Sequence, residues 1–210
     1  MSTIIAFISQ KGGVGKSTFA RALATVASSH NLKVKIADLD TQQGTSLDWH
    51  RIRLNANINP IVYVEAFSSA KEALKISEEF DLLIIDGPAR TSKGTLEIAQ
   101  HADLIIQPTG ASIDDLKPAV KEFHALIKEG ISRNKLLFAL NHIGTEAEDA
   151  ECRRYIQEAG YSILNGYLPE RPAYRQAQNN GCSITETPYK GLKSKAETVI
   201  QSIIDNISND

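Results

Sequence analysis

The stretch Thr3-Ile4-Ile5-Ala6-Phe7-Ile8-Ser9-Gln10-Lys11-Gly12-Gly13-Val14-Gly15-Lys16-Ser17-Thr18-Phe19-Ala20-Arg21 decides the fold of this chain. A short apolar run opens it, with the length and β-branched content of a strand, and a helical pattern starts at Lys16. Between them lies a glycine-rich turn. Glycines let the backbone curl until several N–H groups converge on one point, and the helix that follows adds its positive end. Such a turn grips phosphate. Lys16 sets a compact charge against β- and γ-phosphates, and the Ser17 hydroxyl suits Mg²⁺. Gly12, Gly13, Val14, Gly15, Lys16, Ser17 and Thr18 are therefore the candidate cradle of a nucleoside triphosphate. A KGGxGK[ST] run arises by chance in a chain of this length on the order of 10⁻⁵ of the time.

Outward from this turn, short apolar runs alternate with stretches of helical period. The spacing predicts strands over 3–9, 33–38, 61–65, 82–86, 104–107, 136–141 and 162–164. It predicts helices over 16–28, 45–55, 70–78, 94–100, 114–129, 146–159, 173–179 and 192–207. Strands apolar on both faces that alternate with helices imply an α/β fold: a doubly wound, mostly parallel sheet of about seven strands in a three-layer arrangement. One domain over 1–210 is expected. Ligands on such sheets bind beyond the carboxyl ends of the strands, and acidic residues stand there. The second strand ends in Asp38-Leu39-Asp40, two carboxylates of one orientation that suit a metal shell and a water-positioning base. The fourth ends in Asp86-Gly87-Pro88, the arrangement that delivers a carboxylate to Mg²⁺.

The turn departs from the ordinary phosphate-loop pattern. Gln10 stands at its first glycine and Lys11 adds a second lysine. Lys11 to Ser17 resembles the deviant Walker A motif of the ParA/MinD superfamily of P-loop ATPases. The resemblance covers nearly the whole chain. It implies MgATP as ligand and an ATP-sandwich homodimer in which Lys11 reaches the other subunit's nucleotide, like an arginine finger worth about 10³–10⁵ in rate elsewhere. It gives Lys11, Lys16 and Asp40 catalytic roles, with Asp40 orienting the attacking water, and Ser17, Asp38 and Asp86 the metal. Asp38–Gln43 is similar to the family's first switch with Thr41 in place of proline, and Asp86–Ala89 to its second with Ala89 in place of proline. Asn141 matches an adenine-binding asparagine, though His142 follows it. Pro169 and Glu170 match a segment that flanks the base. Ser112 caps a helix near the expected dimer face.

Composition narrows the choice within that resemblance. The 210 residues are 42% hydrophobic and carry 23 basic against 25 acidic side chains, so bulk charge does not announce nucleic acid. The stripe Leu192, Ala196, Val199, Ile200, Ile203, Ile204 and Ile207 reads as core packing, because the tail 205–210 is acidic and an anionic membrane would repel it. Cys152 and Cys182 lack cluster or metal spacing and read as buried or half-buried thiols of a reducing compartment. No targeting segment or membrane span is visible, which points to the cytoplasm. The expected function is a slow, dimeric ATPase switch for plasmid or chromosome partition or cargo positioning. It would be stimulated by a ParB-like activator and would bind DNA nonspecifically through residues such as Arg153, Arg154, Arg171, Arg175, Lys190, Lys193 and Lys195. A membrane-associated MinD-like ATPase and an amidoligase-type metabolic enzyme of the same fold are the alternatives.

Overall fold

The computed structural model describes residues 2–41, 43–88 and 93–207. Gln42 and Ala89 of the two switch motifs, and residues 208–210 of the acidic tail, lie outside the described residues. Among the described residues, seven strands form one sheet: β1 (Thr3–Phe7), β2 (Val34–Asp38), β3 (Tyr63–Ala66), β4 (Leu82–Asp86), β5 (Leu104–Thr109), β6 (Leu136–Leu140) and β7 (Ser162–Ile163). Their order is β3-β2-β4-β1-β5-β6-β7, and every pairing is parallel. Among the described residues, six α-helices connect them, α1 (Lys16–Ser29), α2 (Thr45–Asn55), α3 (Ala70–Leu74), α4 (Lys93–His101), α5 (Ile113–Lys128) and α6 (Glu146–Glu158), and two follow β7, α7 (Pro172–Asn179) and α8 (Lys190–Ile207).

Alternate residues of each strand feed two separate cores, as the pleat requires. Ile5, Phe7, Ile36, Ile84 and Ile106 meet α1, α7 and α8 on one face. Ala6, Ile8, Leu83, Ile85, Ile105 and Phe138 meet α4, α5 and α6 on the other. The stripe on α8 packs as expected: Ala196, Val199, Ile200 and Ile203 are buried, and Leu192, Ile204 and Ile207 pack against them. No helix among the described residues is long and apolar enough to cross a membrane.

Several ends differ from expectation, among them β1, which stops at Phe7, and β3, which starts at Tyr63, and two of the differences have physical reasons. β5 runs past Gln107 through Pro108 to Thr109. Its pairing with β1 ends at Ile106, while pairing with β6 continues to Thr109, so a residue without an N–H is accommodated. The helix expected over 70–78 ends at Leu74. The N–H groups of Lys75 and Ile76 reach only three residues back, and a 3₁₀ turn over Ser77–Glu79 follows.

Register places the chemistry. Phe7 pairs with Asp86 and Asp38 pairs with Asp86, so the phosphate turn and both buried acids leave the sheet at one level, beside the strand where the winding changes side.

Candidate functional site

β1 passes into α1 through the turn over residues 8–15, and the turn's shape depends on specific glycines. Gly13 and Gly15 hold positive φ, 78° and 112°. A Cβ on Gly15 would lie 2.4 Å from Asn141 Nδ2, so only glycine admits that side chain. Asn141 uses this room to donate from Nδ2 to the Val14 carbonyl at 2.8 Å. It thus braces the turn from the end of β6. On the other side, Glu122 of α5 is buried and accepts from the Gln10 N–H at 3.3 Å and from Gln107 Nε2 at 2.6 Å. Gln10, the residue in place of the usual glycine, is thereby tied to the helix layer.

The turn opens on a cavity of about 670 Å³ lined by Gly12, Gly13, Gly15, Lys16, Ser17, Thr18, Arg21, Asp40, Gln43, Thr45 and Gly87. That volume lies within the range of small-molecule sites. Lys16 is mostly buried, with its ammonium 3.4 Å from the Lys11 carbonyl. Burial lowers its pKa, and the nearby carboxylates of Asp86, Asp40 and Glu122 oppose that shift. Ser17 Oγ lies 3.0 Å from Thr45 Oγ1. Thr18 Oγ1 donates to Gln178 on α7 at 3.3 Å.

Asp40 lines the cavity, and two further carboxylates, Asp38 and Asp86, are buried close by. Asp38 is buried, and its Oδ2 accepts from the N–H groups of Ser46 (3.1 Å) and Leu47 (3.3 Å). It therefore caps α2, whose own N-cap, Gly44, has no side chain to do so. Burial and the neighbouring Asp86 raise the Asp38 pKa to about 6, against three backbone N–H bonds that lower it. Asp86 is pushed up too, chiefly by burial. The hydroxyls of Ser46 and Ser17 and the charges of Arg21 and Lys16 counter it. Ser46 Oγ donates to Asp86 Oδ2 at 2.7 Å, and Arg21 Nε donates to Ser46 Oγ at 3.2 Å. Asp86 Oδ1 is buried and has no hydrogen-bond partner among the described residues.

That orphaned oxygen tests whether Mg²⁺ fits. A hard cation with several waters takes one or two carboxylates, a hydroxyl and phosphate oxygens. Asp86, Asp38 and Ser17 form such a set. Among the described residues no group of three or more His, Cys, Asp or Glu side chains could hold a metal, so ligand phosphate and water would complete the shell. The residues present fit ATP with Mg²⁺.

Lys11 stands at the rim, half exposed, and its ammonium forms a short ion pair with Asp115 at the start of α5. Ser112 caps that helix by accepting from the Asp115 N–H. The expected base-flanking pair is not gathered into the loop cavity. Pro169 bridges to Ile143, just beyond Asn141, and Glu170 is exposed. Of the expected DNA contacts, Arg153 is committed to the fold instead. Its guanidinium bonds Asp149 and the carbonyls of Leu164 and Gly166. Lys195 lies over the Tyr167 ring at 4.3 Å, and Arg175 is exposed beside Glu170.

Sequence reading missed Arg21, Thr45, Ser46, Gln178 and Glu122. One signal was available for Arg21: a lone cation in the apolar helix Phe19-Ala20-Arg21-Ala22-Leu23. The others are ordinary polar residues until packing assembles them.

Known proteins share this architecture. A 26%-identical relative, the maintenance of carboxysome distribution protein A of Gloeobacter kilaueensis, aligns over 99% of this chain and 94% of its own. Apo McdA of Cyanothece superposes with a TM-score of 0.74 at 20% identity, covering 97% of this chain and 100% of that one. MinD of Pyrococcus horikoshii, solved with Mg-ADP, gives 0.73 at 18% identity over 97% and 96%. The model of the CobQ/CobB/MinD/ParA nucleotide binding domain matches residues 5–184. With the phosphate turn and the buried carboxylates beside it in place, the chain belongs to that family of nucleotide-binding domains.

Proposed function

We propose that this protein is a MgATP-dependent dimeric switch that positions a cargo, with ATP hydrolysis releasing the dimer. One observation carries the reading: Lys16, Ser17 and Asp40 converge on a single cavity of about 670 Å³, and Asp86, buried close to Lys16 and Ser17, keeps one oxygen without a partner among the described residues. When bound, MgATP supplies the phosphoanhydride that is cleaved. The chain's residues do the rest. The curled backbone and Lys16 hold the β- and γ-phosphates, Ser17 with Asp86 and Asp38 hold the ion and its waters, and Asp40 orients the attacking water. Lys11 leaves Asp115 to meet charge on a second copy's nucleotide. Asn141, Pro169 and Glu170 flank the base. Slow basal turnover, stimulated by a ParB-like activator, belongs to the same reading.

The name of the carboxysome-distribution relative supports cargo positioning in the cytoplasm; plasmid or chromosome partition is the other form of the same work. Sequence-independent DNA binding by the ATP dimer, with nucleoid association, is part of the proposal. It draws on the exposed Arg175 rather than on Arg153.

Calorimetry with Mg²⁺ and a non-hydrolysable ATP analogue tests the core claim. Micromolar or tighter binding that is lost in Lys16→Ala supports it, and no heat overturns it. Asp40→Ala with ATP should elute as a dimer that retards duplex DNA at low salt. A dimer that leaves DNA unshifted removes the DNA-binding part alone.

A further inference from the structure

The first turn of α2 does more than follow the acids of β2. Gly44 precedes it in a left-handed conformation, φ 55°, and turns the chain back over the phosphate loop. Thr45 then lines the cavity, with Oγ1 3.0 Å from Ser17 Oγ. The next residue, Ser46, is fully buried. Its hydroxyl donates to Asp86 Oδ2 at 2.7 Å and its N–H donates to Asp38 Oδ2 at 3.1 Å. Two consecutive side chains of one helical turn therefore touch two of the three residues assigned to the metal, and the backbone of that turn holds the third.

The pair of hydroxyls is chemically distinctive. Only one of two hydroxyls in mutual contact donates to the other, and each oxygen keeps acceptor lone pairs. Both line the same cavity, and close to them Asp86 Oδ1 is buried and without a partner among the described residues. Mg²⁺ demands hard oxygen donors in near-octahedral array and keeps several waters. We propose that Thr45 is a further residue of the metal site: its hydroxyl, beside that of Ser17, takes the ion or one of its bound waters. The assignment rests on the MgATP reading above and deepens it. Loading the site with metal then fastens α2 to the phosphate loop at Thr45, in addition to the cap that Asp38 provides.

The competing account is a plain structural hydrogen bond between Thr45 and Ser17. The two separate in a linkage experiment, in which binding of a fluorescent ADP is titrated with Mg²⁺ and again with EDTA. Thr45→Val keeps the side chain's shape and removes the hydroxyl. It is expected to cut the Mg²⁺-dependent tightening of ADP by roughly tenfold, the usual scale for a residue orienting a metal shell, with affinity in EDTA unchanged. Thr45→Ser should restore the tightening. Thr45→Ala, which leaves more room, guards against misfolding of the valine variant and carries the same expectation. A loss below about threefold, or an equal loss in EDTA, overturns the assignment. A parent protein that shows no Mg²⁺-dependent tightening overturns the MgATP reading itself, and this one with it.

Discussion

Asp38 carries two duties that oppose one another. It caps α2 through two backbone N–H groups, which favours its charge, yet burial beside Asp86 raises its pKa to about 6. The unfolded value lies near 4. A carboxyl whose folded pKa is raised contributes stability that is full below the unfolded value and is lost as pH rises through the folded one. The metal-free protein is therefore expected to lose stability between pH 4 and pH 7 through this group. Asp38→Asn should remove that dependence, read from denaturant unfolding across pH. Stability that is flat in pH in the parent would contradict it. Gly15 gives a second test. Alanine there adds a methyl 2.4 Å from Asn141 at φ 112°, so Gly15→Ala should cost about 1–3 kcal/mol and weaken nucleotide binding together. The glycines and Lys16 were legible from sequence because loop, lysine and helix lie within one contiguous run. Ser46 was not, because its meaning lies in contacts between α1, α2 and β4 that no local pattern encodes, and the lone cation Arg21 stands out in its apolar helix without revealing those partners.

Among the elements, α2 shows how the site is fixed from behind. Arg53, near its end, is about 1% exposed and forms a bidentate pair with Glu186 at 2.7 and 2.9 Å. It also donates to the carbonyls of Pro60 and Gly181, and its guanidinium lies 5.3 Å from the Trp49 ring. Trp49 Nε1 in turn donates to the Cys182 carbonyl. Removing one partner of a buried pair leaves the other charge stranded, so Arg53→Ala should cost about 3–5 kcal/mol. Urea unfolding measures this, and a cost under about 1 kcal/mol would show that the pair is dispensable. Strand and helix positions were largely legible, since uninterrupted apolar runs such as Leu82–Asp86 mark strands covered on both faces. Two of the misjudged ends trace to Pro108, whose lost N–H the ending of β1 tolerates, and to the tightening after Leu74.

At the scale of the molecule, a ligand that binds only the folded chain stabilises it by mass action. MgATP at 100 times its Kd should add about 2.7 kcal/mol, and none in Lys16→Ala. A thermal melt in which parent and variant respond alike would count against the site. The strand order has a further consequence, for synthesis. β1 emerges from the ribosome well before its partners β4 and β5: Thr3 pairs with Leu82 and Ile5 with Leu104. At roughly 5–20 residues per second, several seconds of translation separate them. During that interval the amino-terminal strand and the loop behind it remain without neighbours in the sheet. A strand made long before its partners is thus among the last to acquire its shape, and a nascent chain halted before β5 has no means of holding nucleotide.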